Sequence, residues 1–447
     1  MSEAVPPPRP ATPSAFPDRL WLLVLTVVAV TVATEWIGPL AIPLGSASIV
    51  ILPMLVALLL TTALAAWHAK LPAGLRLGVP LQRYAGKLLN AALLLFIVKL
   101  GLMAGHSMPQ LQKVGWALAF QELGHAFGTM VLALPLALML GIKREAVGAT
   151  FSIGRENSLV IIGQKYGMQS AEGRGVLAEY ITGTVLGAVF ITLLASFVAS
   201  LGLFDPRSLA MGAGMGSGSL MAAALGVITL GQSPEMVKEL NAIAAAANLI
   251  AGVVGFYFAV FVTLPLCNWL YARLEPVLGR TAFARRAPST DDLDPEAALE
   301  DEDEHPGFAD SVIALLLMVA GITISNYIGH GVAPADTLPG AAVMVAIVLV
   351  GLLLKRVVRK LPLMLFLAVA ATLVTIPDGW PLANAVAETI GAVQFMSITT
   401  TVLALAGFSV ARKLPMFRRL GWRIVLVSLT ATAGTFIGAA AIAEFFH

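Results

Sequence analysis

The chain has 447 residues, 58% of them hydrophobic and 12% charged, with a formal net charge of +2. Its mean hydropathy is +0.86 and its isoelectric point is near 8.7. So much apolar sequence excludes a soluble globule, and so small a net charge gives no reason to expect a nucleic-acid partner; the reading is an all-α membrane protein held in a lipid bilayer.

Residues 1–19 are rich in Pro and Ala and precede an apolar run with no small-residue cleavage site near its end, so they read as a disordered cytoplasmic tail rather than a signal peptide. A first helical bundle, 20–144, follows, with spans predicted over 20–40, 46–67, 88–104 and 115–140. In the last of these, Gln121-Glu-Leu-Gly-His125 places Glu122 and His125 three apart on one helix face, as a proton-relay or metal pair would stand. A metal site needs more ligands, and no second Glu-x-x-His occurs, so relay or structural pairing is the reading and no metal is expected.

A core region, 145–271, carries two apolar stretches broken at their centres. The first, 148–163, contains Ser152-Ile-Gly-Arg-Glu-Asn-Ser158; the second, 209–231, contains Gly212-Ala-Gly-Met-Gly-Ser-Gly-Ser219. Each is followed by a span, 176–201 and 241–271, the second of which holds the lone cysteine, Cys267. A single cysteine excludes an intramolecular disulfide and a cysteine metal cluster and reads as a buried thiol. The stretch 272–308, with Asp291, Asp292, Asp294 and an unbroken acidic run over 300–304, reads as a solvated cytoplasmic linker. A second bundle, 309–447, is expected to cross at 310–330, 338–354, 361–376, 385–410 and 422–446.

This gives about eleven spans plus the two broken segments. Basic residues gather in alternate loops, from Lys70 and Arg76 to Lys355 and Arg356 and the group from Arg412 to Arg423, which puts the N-terminus in the cytoplasm and the C-terminus outside. The count closes whether the two broken segments are re-entrant or fully spanning. The chain also matches itself. Trp36-Ile-Gly38 resembles Tyr327-Ile-Gly329, and Thr129 to Leu134 resembles Thr400 to Leu405, suggesting a unit used twice; each broken segment with its following span also matches the other, which suggests an inverted repeat.

A helix interrupted at membrane depth survives only where it is buried in protein or lines a cavity. Its second half then presents unpaired N–H groups reinforced by the helix dipole. In the second break Gly214, Gly216, Ser217, Gly218 and Ser219 let an anion come close to the backbone, unless the glycines serve only close helix packing. In the first, Arg155 suits a two-pronged contact with a carboxylate, with Asn157 and Ser158 beside it, and Glu156 suits a pair with Arg155 or the coupling cation, unless the stretch is a cytoplasmic loop with both charges solvated. Asn241, Asn248 and Thr182, with Thr184, are further candidates for the cation. Gln394, Ser397, Thr399, Thr400 and Thr401 form a polar band that suits either the same cavity or interhelical hydrogen bonds.

Over 148–271, on these two motifs, the chain resembles the sodium-coupled carboxylate symporters of the 2-hydroxycarboxylate and glutamate transporter families. It also resembles a bacterial family of polytopic membrane proteins with no substrate assigned. The symporter resemblance implies two oppositely oriented re-entrant hairpins, an elevator mechanism and a homodimer. The expected function is secondary active transport of a small organic anion across the bacterial inner membrane, coupled to sodium or protons and needing no other cofactor. A channel using the glycine-rich segment as a filter is the alternative, and a membrane enzyme built on Glu122 and His125 a weaker one; no nucleophile with its base, phosphate loop or zinc-protease motif marks the chain as an enzyme.

Overall fold

Long apolar runs fold as helices in a bilayer because only a helix satisfies every backbone group within one segment. The computed structural model describes residues 17–44, 47–106, 108, 115–154, 156–167, 170–214, 216–279, 306–358, 363–377, 379–418 and 420–446. Most of the N-terminal tail and residues 280–305 of the predicted linker lie outside the described residues; residues 272–278, assigned to that linker, instead continue the helix that precedes it.

The elements run α1 (Leu20–Ile37), a short antiparallel hairpin of β1 (Leu40–Leu44) and β2 (Ala47–Ile51), α2 (Pro53–Ala66), α3 (Val79–His106) and α4 (Gly115–Met139). Next come α5 (Glu145–Thr150), α6 (Glu156–Tyr166), α7 (Ala171–Val185), α8 (Gly187–Ser200), α9 (Pro206–Ala213), α10 (Gly218–Ile228) and α11 (Pro234–Phe258). A π-helical turn, Ala259–Thr263, joins α11 to α12 (Leu264–Leu278). The second half is α13 (Phe308–His330), α14 (Pro334–Val357), α15 (Leu363–Val374), α16 (Ala383–Gly391), α17 (Phe395–Phe417) and α18 (Trp422–Glu444). Among the described residues, seven helices are long and apolar enough to cross a membrane, and α7 with α8, bent by 68°, would make an eighth. The all-α membrane class therefore holds, with the hairpin as its one exception.

Several predicted spans change shape. The stretch 46–67 is not one helix: β2 takes its first part, and α2 is left with 14 residues. Pro39 and Pro43, with the β-branched run at 49–51, disfavour helix there, and Pro53 then starts α2 at the position proline prefers. The span expected at 176–201 bends at Leu186. The one expected at 385–410 is two helices, α16 and α17, separated at 392–394. Lys413, counted among loop residues, lies inside α17 and is only 4% exposed.

Glycines set how closely the helices pack. Gly124 and Gly128 on α4 face Gly434 and Gly438 on α18, so close that a Cβ on any of the four would overlap the facing backbone. This is the small-xxx-small contact of membrane helices, with the Thr129 and Thr435 hydroxyls 2.6 Å apart beside it. The six-residue α5 is held the same way, Gly148 lying against Glu172 and Gly175 against Glu145. The scaffold around them is tied by α2 on α17 and by α3, which touches α11, α13, α15, α16 and α17.

Candidate functional site

Both predicted breaks are present, and they face each other. The first separates α5 from α6. Thr150, the last residue of α5, returns its hydroxyl to the Ala146 carbonyl at 2.8 Å. The chain then turns tightly, Ser152 Oγ accepting from the Gly154 N–H at 3.0 Å and the Asn157 N–H donating to the Gly154 carbonyl at 3.0 Å. Arg155 lies outside the described residues, and of Glu156 only the backbone, the first residue of α6, is described. Ser158 is fully buried and its hydroxyl has no hydrogen-bond partner.

The second break separates α9 from α10. Gly216 adopts φ 119°, a conformation open to glycine and strained for other residues. Asn248 of α11 donates its side-chain N–H groups to the carbonyls of Gly214 and Gly216, each at 2.9 Å. Gly214 caps the end of α9 and Gly216 lies in the break itself, so both carbonyls stand where no helix pairs them. Ser217 caps the start of α10, accepting from the Leu220 N–H, with the Ser219 hydroxyl 3.1 Å away. A Cβ placed on Gly216 would stand 3.8 Å from Cδ1 of Ile153, so the two breaks are in near contact.

They open on one cavity of about 1380 Å³, lined by Gly154 and Asn157 from the first break and by Gly216, Ser217, Gly218 and Ser219 from the second. Asn248, Thr184 and His125 line it too. Thr182 and Asn241 are not in its lining: the Thr182 hydroxyl bonds back to Ala178, and the Asn241 amide to Val237 in its own helix. Nor does the polar band of α17 line it. Ser397 and the backbone N–H of Gln394 both donate to Asn326 Oδ1, Thr399 and Thr400 bond to the Met396 carbonyl, and Thr401 packs on Gly321. Of that band, the Ser397 side chain makes an interhelical hydrogen bond, while Thr399 and Thr400 bond within their own helix.

Three cavity or break residues were given no site role from the sequence. Tyr180 and Lys413 line the cavity together, the Lys413 ammonium 3.1 Å from the Tyr180 hydroxyl and 4.3 Å above its ring. Lys99, 2% exposed in the middle of α3, gives its ammonium to the carbonyls of Ile390 and Val393, each at 2.7 Å. It thereby holds the α16–α17 break as Asn248 holds the second one. A lysine inside the apolar run 88–104 is the signal that could have found it.

Gly216→Val is expected to strain this geometry twice, by forcing a β-branched residue into positive φ and by placing its methyls where a ligand meets the backbone. The backbone term alone is about 1–3 kcal/mol. Thermal unfolding should show the lower stability, and any ligand-induced stabilisation should be lost; an unchanged ligand response would make the glycine break a packing feature only.

Fold and cavity together define a multi-pass helical membrane protein whose central cavity is built from two interrupted helices. The chain belongs to the family described as protein of unknown function, DUF3100, which matches residues 32–273, a stretch containing both breaks and all of α11. No curated protein and no solved structure matches the chain.

Proposed function

We propose that this protein is a secondary active transporter that carries a small organic anion across the bacterial inner membrane, coupled to sodium or protons by alternating access. The observation that carries the reading is the meeting of the two breaks across one cavity. Two helices, α6 and α10, begin there, and each directs the partial positive charge of its N-terminus toward the same space. Anionic substrate is the chemistry that such a pair favours, and Arg155 is the residue assigned to grip its carboxylate. Neutralising the anion with a cation before it crosses lowers the barrier of a low-dielectric passage.

The cavity also runs from the breaks toward Lys355 and Arg356, the basic side that the positive-inside rule assigns to the cytoplasm. We read this as an inward-facing state, with a second state closing that path. The elevator-like movement of the 145–271 region against the outer helices, in a homodimer, belongs to the same proposal.

The test is thermal unfolding of the purified protein against mono- and dicarboxylates and amino acids, each in sodium and in potassium at several pH values. At least one anion should raise the transition, and the stabilisation should require sodium or low pH. Arg155→Ala should abolish the anion response while leaving the unliganded transition in place. If no anion stabilises the native protein in any condition, or Arg155→Ala responds normally, the anion assignment fails.

A further inference from the structure

One turn of α4 seals several polar groups away without partners. Gln121 is fully buried, Glu122 is 4% exposed and His125 is 8% exposed. Gln121 gives an amide N–H to the Ala247 carbonyl of α11 at 3.1 Å, but its Oε1 is unpaired. Glu122 Oε1 and both ring nitrogens of His125 also lack hydrogen-bond partners. Glu122 Oε2 comes to 3.5 Å from His125 Nδ1 and packs on Gly255 of α11, where a Cβ would lie 3.1 Å from that oxygen. His125 belongs to the cavity lining, with both ring nitrogens just beneath its surface, and Glu122 lies outside that lining.

Among the described residues, no charged group on the elements packed against α4 is paired with Glu122 apart from His125. α4 packs against α5, α9, α11, α12 and α18. Glu145 of α5 pairs with Arg174, Arg207 of α9 with Glu239 of α11, and Glu275 of α12 with Lys143. At the two ends of α18, Arg423 bonds to the Leu140 carbonyl and Glu444 to the Asp205 N–H. Also on α12, Cys267 faces Thr150, Tyr271 faces Arg144 and Arg273 stacks on Trp269. Glu235 and Lys238 lie at the start of α11, far along the helix from Gly255, and Tyr257 is exposed.

Buried polar atoms left without partners are costly, so this turn is built for something that binds there. An alkali cation wants a shell of oxygens, whereas the group nearest the carboxylate is an imidazole. A transition metal would need a further ligand, and no group of three His, Cys, Asp or Glu able to hold one occurs among the described residues. A proton fits. On the carboxyl group it removes the buried charge and makes Glu122 a donor to His125 Nδ1.

We propose that the Glu122–His125 pair is the coupling-proton site of the transporter, an inference that rests on the transport reading above. His125 takes a proton from the cavity at Nε2 and releases the one at Nδ1 to the Glu122 carboxylate. One net proton is bound, and the imidazole ends neutral in its other tautomer. The link to the substrate is short: Gln121 bonds to Ala247, and the next residue, Asn248, clamps the second break.

Infrared difference spectroscopy of the full-length protein in membranes, recorded between acid and alkaline pH in water and in deuterium oxide, reads the carboxylic-acid band directly and needs no substrate. A band that titrates, shifts in deuterium oxide, is missing in Glu122→Gln and moves in His125→Gln is the expected result. A titrating band unchanged in both variants overturns the proposal, as does its removal from the native protein by sodium chloride at fixed pH, which would make the site an alkali-cation site. Should Glu122→Gln fail to fold, the shift in His125→Gln decides alone. If the band behaves as expected but no carboxylate stabilises the protein, the anion assignment fails while the proton site stands.

Discussion

Replacing Gly128 with valine is expected to disrupt the membrane core severely. Gly128 on α4 and Gly434 on α18 meet backbone to backbone, and a Cβ on either would overlap the carbonyl oxygen of the other. No flexible side chain stands there to move aside. The helices must separate, and with them go the neighbouring Gly124–Gly438 contact and the hydrogen bond between Thr129 and Thr435. Overpacking of this kind costs about 1–3 kcal/mol where side chains can adjust, and here they cannot, so a loss of about 3 kcal/mol or more is expected. Because α18 also carries α5, α7 and α9, the damage should spread to both broken helices. Size-exclusion profiles and thermal unfolding would measure it, with Gly115→Ala as the control, since nothing lies within 4 Å of a Cβ there. A Gly128→Val protein that is monodisperse and unfolds at the native temperature would refute the contact.

Both helix breaks were legible in the sequence because glycine, serine and charge inside an apolar run leave few other readings at membrane depth. Their meeting was not. It depends on α7, α11 and α18 arranging two segments that are separated in the chain, and no local pattern carries that. The third break, at 392–394, escaped notice because it has no charge and a single flanking glycine, Gly391; its marker is the distant Lys99. Lys413 was hidden differently: counting basic residues by cluster assigns all of them to loops, although α17 continues to Phe417 and tucks this one against Tyr180. The facing glycines of α4 and α18 are each visible as Gly-x-x-x-Gly, but only the fold pairs them.

Asn241 and Asn248 show where spacing stops being informative. Seven residues apart they stand on nearly the same side of α11, yet an α-helix drifts by about 20° over each heptad, and their surroundings differ. Asn241 turns back to the Val237 carbonyl of its own helix. Asn248 reaches across to the break that follows α9, and Lys99 does the same for the break that follows α16. In both places a donor side chain from an unbroken helix satisfies the carbonyls of a broken one. That arrangement lets an interrupted helix persist in a medium with no water to complete it.

Asn248→Asp should therefore be the most damaging substitution at the cavity. The side chain meets two carbonyl oxygens at 2.9 Å, so only its NH2 end can face them. Alanine would leave both carbonyls unpaired, at about 1–3 kcal/mol for each buried group. Aspartate is worse, because an ionised carboxylate is acceptor-only: it repels both oxygens and puts a negative charge beside the space proposed for an anion. The sign of the pH dependence follows. Protonated, the new side chain regains one donor and loses its charge, so stability and any anion response should recover as pH falls and disappear as it rises. Asn248→Ala should show the stability loss without that added pH dependence, and Asn241→Ala should cost about 1 kcal/mol, the value of one ordinary hydrogen bond. Thermal unfolding across pH, with and without the stabilising carboxylate, separates the three. If Asn248→Asp were as stable as the native protein at neutral pH, the clamp on the second break would not exist, and the cavity would lose the feature that fixes its geometry.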